Sequence, residues 1–381
     1  MSRFGVVALS VLALVACTRR APYCTYVRAG DGPSGAVPIR AETVVSGLEV
    51  PWSIAFLTND AMLVTERPGR LRLVAGGVLE PQPVATIPVH TVEEGGLLGL
   101  ALAPDFGSSR RFFLYYTYDG ADGYAHDRVE RWILADDARS AQPDKILFDP
   151  IAAAPFHNGG RLRVGPDGML WIGTGDAGNP KTAQDAYTPN GKILRVTLDG
   201  DPAPDNPVPG SPVWASGLRN VEAFDWLSPK PGAPLVIAEH GPSGELGRHG
   251  NDRILVSFPG ANHGWPDSYG CDDGDGVTGA SLSWAKAVPP GGAALYTGTR
   301  IPEWRGSFLV GTLLSQHIHR VVLDPNDPKR VVLHEVYLAG ELGRVRDVVM
   351  SPDGELYVAT SNCDSRGTCP PDGDRIVRIT R

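Results

Sequence analysis

The sequence predicts an all-β protein, and within that class a six-bladed β-propeller. Three observations lead there. Short strand-patterned segments recur along the whole chain. The 46 Gly and 34 Pro punctuate it so often that long amphipathic helices find little room. A turn of related form returns as APDF at Ala103, GPDG at Gly165 and SPDG at Ser351. A degenerate repeat of apolar strand, tight turn, apolar strand, loop and charged-start strand is the pattern of blades around a central channel.

Six such units follow in order. Trp52 to Val74 holds a strand, a turn and two more strands, and Leu97 to Leu134 repeats this with LLGLALAPDF, FFLYYTY and RVERWIL. The third, Arg161 to Leu198, ends in GKILRVTL; the fourth, Glu222 to Phe258, contains PLVIAEHG and DRILVSF. Gly306 to Leu323 supplies SFLVGTLL and IHRVVL, and Arg344 to Ile379 closes the series with VRDVVMSPDGELYVATSN and DRIVRI. No linker or low-complexity segment divides residues 41–381, which read as one domain. The interval between Glu222 and Gly306 is the longest, so its loops are large enough to build a site.

The N-terminus reads as a targeting segment. Arg3 precedes an apolar run from Phe4 to Ala16, too short for a permanent membrane span, and the run ends in Leu14-Val15-Ala16-Cys17. That ending resembles a bacterial lipobox. It implies removal of residues 1–16, acylation of Cys17, a tether over residues 17–40, and membrane attachment through lipid alone. Thr18 after the cysteine favours the periplasmic face of the outer membrane by resemblance to sorting rules. Four further cysteines in an exported chain predict disulfides: Cys363 with Cys369 as the local pair, and Cys24 with Cys271 by elimination. A net charge of −8 with no basic stripe argues against nucleic acid as a partner.

The segment from His157 to Asn179, HNGGRLRVGPDGMLWIGTGDAGN, carries the clearest chemistry. Arg161 to Val164 and Met169 to Thr174 suit two strands joined by a Pro166-Asp167-Gly168 turn. Such a hairpin brings His157 near Asp176, an imidazole beside a carboxylate, with Gly159 and Gly160 leaving space for a ligand to reach the backbone.

Several motifs occur in a fixed order: GLEVPWSIAF, EGGLLGLALAPDF, HNGGRL with GPDG and GTGD, NGKILRV, GLRN, AEHGP, NHGWP and GRVRDVVMSPDG. Together, from about Val44 to Ile379, they resemble the soluble quinoprotein glucose/sorbosone dehydrogenase family, the aldose sugar dehydrogenases. The resemblance implies a propeller that binds pyrroloquinoline quinone and Ca2+ and oxidises the anomeric hydroxyl of an aldose to a lactone. It implies a general base at His157, oriented by Asp176. Arg219 and Asn220 match residues that contact quinone and neighbouring substrate, and Arg344 and Arg346 match the arginines that hold the cofactor carboxylates. Gly241 and Pro242 match backbone ligands of the catalytic calcium. Asp252 and Asp273, with backbone near His263 and Tyr269, match a second calcium loop in which Arg253 replaces an acid.

Two cofactor-facing positions depart from the family pattern. Glu94 stands in place of the usual glutamine, where a carboxylate suits an anionic cofactor only if protonated or paired. Leu314 stands in place of a lysine, with His317 and His319 as nearby substitutes. These departures motivate the alternative, a propeller that lost the cofactor and binds glycan or protein. A calcium-dependent lactonase is a fold-level analogy only. Trp284 and Tyr296 are candidates to stack on a sugar. The resemblance implies an aldose substrate and a separate electron acceptor as partners.

Overall fold

The computed structural model describes residues 20–381, so the lipobox, Cys17 and the targeting segment lie outside the described residues. Six antiparallel sheets are arranged as a six-bladed propeller. The innermost strands of successive blades are Pro51–Phe56, Leu97–Leu102, Gly159–Val164, Val221–Trp226, Pro290–Leu295 and Val345–Met350. Each touches the next, and the last returns to the first, which closes the ring.

The central strands are buried on both faces because each blade is covered by its neighbours. Leu235–Glu239, Leu356–Thr360 and Leu170–Thr174 are buried at every position. They therefore read as short continuous apolar runs and not as strict alternation. The wedges between blades hold the core clusters, such as Trp171, Trp214 and Trp226 between blades three and four.

Two N-terminal strands join the sheets. Arg40–Leu48 pairs with Asp374–Thr380 and becomes the outer strand of blade six, so the ring is sealed by strands from opposite ends of the chain. Thr25–Val27 runs parallel to Leu282–Trp284 and extends blade four, anchored by the Cys24–Cys271 disulfide. Tether and propeller therefore do not divide at residue 40. The second disulfide, Cys363–Cys369, closes a loop on blade six.

The channel is closed part-way along. Arg161 of blade three reaches across to Asp347 of blade six, Nη1 to Oδ1 at 2.9 Å, both almost wholly buried. The same guanidinium donates to the Glu222 and Gly291 carbonyls on blades four and five and lies over the Trp52 ring of blade one. On one side of this plug is a funnel of about 550 Å³ lined by the far ends of the inner strands. On the other is a cavity of about 240 Å³ that holds the residues singled out above.

Candidate active site

The hairpin of blade three positions the first pair. Gly159–Val164 and Leu170–Thr174 are antiparallel, and Gly159 lies opposite Thr174. The ends close tightly because of a glycine: a Cβ on Gly175 would lie 1.8 Å from the His157 carbonyl oxygen. Gly159 and Gly160 are needed for similar reasons. Cβ atoms there would meet Thr174 backbone and Leu98, so neighbouring chain fills the space they leave, and Gly159 also lines the cavity.

His157 has φ +65°, and its Nδ1 lies 2.7 Å from Asp176 Oδ1. Asp176 is fully buried and satisfied. Its Oδ1 also accepts the Gly178 N–H at 2.9 Å, and its Oδ2 accepts the Trp265 Nε1–H at 2.8 Å. A carboxylate receiving three donors is held in one orientation. With Nδ1–H donated to it, the imidazole keeps Nε2 as an acceptor, the tautomer a proton abstractor needs.

Around this pair the wall is cationic. Arg67, Arg219, Arg344, Arg346, Arg366 and His240 line the cavity, against Glu94, Glu222 and Asp364. Arg344 pairs with Asp364 at 2.8 Å, and Arg346 pairs with Glu222 and more distantly with Asp364. Arg346 Nε is buried without a hydrogen-bond partner among the described residues. Arg67 has no ion pair among the described residues. Burial and the nearby Arg346 both push its guanidinium below its ordinary pKa. Burial works to raise the Glu222 carboxyl, but Arg346 and His240 outweigh it and hold the group below the usual carboxylate range. His240 moves the opposite way: burial lowers it, and Glu222, 3.7 Å from Nε2, more than restores the loss and raises it.

Arg219 donates to Glu245 and Ser243, and its guanidinium stands 5.9 Å from the Trp265 ring. Asn220 Oδ1 accepts the Gly159 N–H at 2.8 Å while its amide donates to Glu222 Oε1, which ties blade three to blade four. Gly241 and Pro242 lie buried between the cavity-lining His240 and Ser243, and the Gly241 N–H is held by Asp252 Oδ1 at 2.9 Å.

The other singled-out positions fall as follows. Glu94 lines the cavity but is paired: Oε1 meets Arg366 Nη1 at 2.9 Å, and Oε2 accepts the His157 N–H at 2.9 Å. Leu314 is on the cavity wall and largely exposed, so no cation comes from that position. His317 and His319 do not replace it. Both are buried inside blade five, Nε2 of one 3.2 Å from Nδ1 of the other, because the strand begins at Ile318 and turns them into the sheet. Trp284 and Tyr296 are core residues; the first donates to the Asp31 carbonyl, and the second accepts the Ile301 N–H. Asp252 uses both carboxylate oxygens on the Gly241 and Val288 amides. Arg253 pairs with Glu239 and donates to the His263 and Gly217 carbonyls, so a buried guanidinium organises this region. No group of three His, Cys, Asp or Glu side chains is arranged to hold a metal among the described residues.

Sequence reading passed over Arg67, Glu222, His240, Trp265 and Asp364. Four of them sit inside or beside segments already noted: the strand opening at Glu222, AEHGP, NHGWP and the run after YVATSN. Arg67 gave no signal beyond a charge in a turn.

The fold is a propeller with a cavity at one end of its channel, and the family match makes the chain an oxidoreductase. The chain belongs to the glucose/sorbosone dehydrogenase family, whose model matches residues 48–368. The aldose sugar dehydrogenase of Escherichia coli K12 is 32% identical over 345 residues, covering 84% of this chain and 90% of that protein. Its solved apo-form has a TM-score of 0.76 at 29% identity, covering 90% of this chain and 99% of that one. A PQQ-bound aldose sugar dehydrogenase from Streptomyces coelicolor has a TM-score of 0.79 at 32% identity, covering 92% and 99%.

Proposed function

We propose that the cavity binds pyrroloquinoline quinone and that the chain oxidises an aldose at its anomeric carbon to a lactone. The observation that carries this reading is the His157–Asp176 pair facing an arginine-rich wall with uncompensated charge. The fit to a tricarboxylated cofactor rests on that wall. Arg67 has no carboxylate partner among the described residues, and Arg346 Nε has no acceptor there. Guanidinium forks match carboxylates in geometry and charge. Arg344, Arg346 and Arg67 would hold the cofactor carboxylates, Asn220 and Arg219 its neighbouring edge and the sugar. The carbonyls of Gly241 and Pro242 would hold a calcium ion, a hard cation suited to oxygen donors. When bound, the quinone would supply a hydride acceptor and calcium a Lewis acid.

The chain's own part is proton chemistry and orientation. His157 Nε2 takes the proton of the anomeric hydroxyl, while Asp176 keeps the proton on Nδ1 and stabilises the imidazolium that forms. His240, with Glu222 3.7 Å from its Nε2, lines the same wall.

Cofactor-free protein given calcium and pyrroloquinoline quinone should retain quinone absorbance and reduce a dye when an aldose is added. No turnover across a panel of aldoses, with no quinone retained, would overturn the reading. His157→Gln should abolish turnover and keep the cofactor. The alternative, a glycan- or protein-binding propeller without cofactor, draws on Leu314; calorimetry detecting no quinone binding would favour it. We also propose envelope attachment through acylated Cys17, checked by incorporation of labelled palmitate and its loss in Cys17→Ala.

A further inference from the structure

His157 is held at three points, and only two belong to its own blade. Its ring is fixed by Asp176 and its carbonyl accepts the Ala177 N–H at 3.1 Å. The third restraint comes from blade two, where Glu94 Oε2 accepts the His157 N–H at 2.9 Å. A histidine at φ +65° stays in that conformation only if its surroundings hold it there. The backbone amide is thus one of the points that set the direction of the imidazole.

Glu94 is itself oriented from blade six. Arg366 Nη1 meets Glu94 Oε1 at 2.9 Å, and the guanidinium stands 5.6 Å from the Phe156 ring, the residue next to His157. Arg366 lies in the loop closed by Cys363–Cys369. That loop is packed so closely that a Cβ on Gly367 would come within 2.8 Å of the Arg344 side chain and 2.7 Å of the Asn362 carbonyl. Glu94 also donates its own N–H to the Pro155 carbonyl, so both ends of the residue grip the approach to His157.

We infer that Glu94 and Arg366 are positioning residues for His157: the disulfide-closed loop presents Arg366, Arg366 orients the Glu94 carboxylate, and Glu94 fixes the His157 amide so that the imidazole faces the cavity. This rests on the proposed role of His157 as base. It also gives the carboxylate at position 94 a purpose: a charge-assisted acceptor grips an N–H about twice as strongly as a neutral one, and a carboxamide would turn a donor toward either Arg366 or His157.

The test uses full-length protein in two assays. In cofactor-free protein, amide exchange at His157 should accelerate about tenfold or more in Glu94→Ala and in Arg366→Ala, since each removes a restraint on the opening of that hydrogen bond. At saturating cofactor, both variants should lose kcat by roughly tenfold to a hundredfold while KM for the sugar moves less than about threefold, the mark of a misplaced base. Arg366→Ala should cost little further on a Glu94→Ala background, because the two act in series. Glu94→Gln should be impaired, and adding Arg366→Ala should restore part of its kcat by freeing the carboxamide to turn its oxygen to His157. Unchanged His157 exchange in both single variants, or full additivity of the two, would overturn the inference. If wild type shows no sugar turnover, the proposed function fails and the exchange measurement alone decides the positioning role.

Discussion

Asp176→Asn separates the two services that the carboxylate performs for His157. In the native arrangement Oδ1 receives His157 Nδ1 and the Gly178 N–H, and Oδ2 receives the Trp265 Nε1–H. An asparagine has one oxygen for three donors. With its oxygen toward His157, its NH2 group points at the Trp265 N–H, donor against donor in a fully buried site. With the amide flipped, NH2 faces Nδ1, the ring proton must move to Nε2, and the base is lost. Losing the charge-assisted bond to the imidazolium is worth about 1.5–3 kcal/mol, and the tautomer penalty adds to it, so kcat should fall by roughly 10²–10³-fold with cofactor retained. Trp265→Phe removes the opposing donor while keeping an aromatic ring near Arg219. The double variant Asp176→Asn/Trp265→Phe should therefore recover about tenfold over Asp176→Asn alone, near 1.4 kcal/mol. The assays are dye-linked turnover at saturating quinone and sugar, and 15N shifts of the His157 ring in cofactor-free protein to read the tautomer. Asp176→Asn turning over within threefold of wild type, or a double variant no faster than the single, would refute the reasoning.

Three other expectations concern stability. Asp127 is buried beside Thr117, 2.6 Å from its Oγ1, and burial pushes its carboxyl up to about 8. Because the folded value lies above the unfolded one near 4, its contribution is present at low pH and lost as pH rises toward 8; Asp127→Asn should gain on wild type by up to roughly 1.4 kcal/mol per pH unit in urea melts between pH 5 and 8. His263 accepts from Ser257 and donates to the Thr278 carbonyl, and burial together with Arg253 depresses it to about 3. Here stability is complete above about 6.5 and falls on acidification toward 3, so His263→Gln should show a flatter urea midpoint from pH 6.5 to 4. Arg161→Leu strands the buried Asp347 and should cost about 3–5 kcal/mol, with Asp347→Asn restoring part of it in the double variant; a loss below about 1 kcal/mol would count against the pair as the keystone of the channel.

The propeller was legible because blades are local: each is three or four consecutive strands with its own turn chemistry, so WSIAF, LVIAE and LYVAT announce themselves within a short window. What escaped was non-local. Nothing near Arg40–Leu48 says that it closes a sheet with residues more than three hundred positions away, and Thr25–Val27 is too short to read without its disulfide partner. The site divides the same way. His157 and Asp176 share one hairpin and could be paired from sequence. Trp265, which completes the carboxylate, and Arg366, which holds Glu94, arrive from other blades. His317 and His319 were candidates by proximity in sequence, but strand geometry carried them into the blade.

The Arg161–Asp347 pair has a kinetic corollary. The pair spans the channel, with the proposed catalytic cavity on one side and the larger funnel on the other. If the cavity oxidises a sugar as proposed, substrate, product and electron acceptor would all approach it from the same side of that pair. The two half-reactions would then alternate, giving parallel lines in double-reciprocal plots against sugar and acceptor, and excess of either reactant should slow the cycle by holding the entrance against the other.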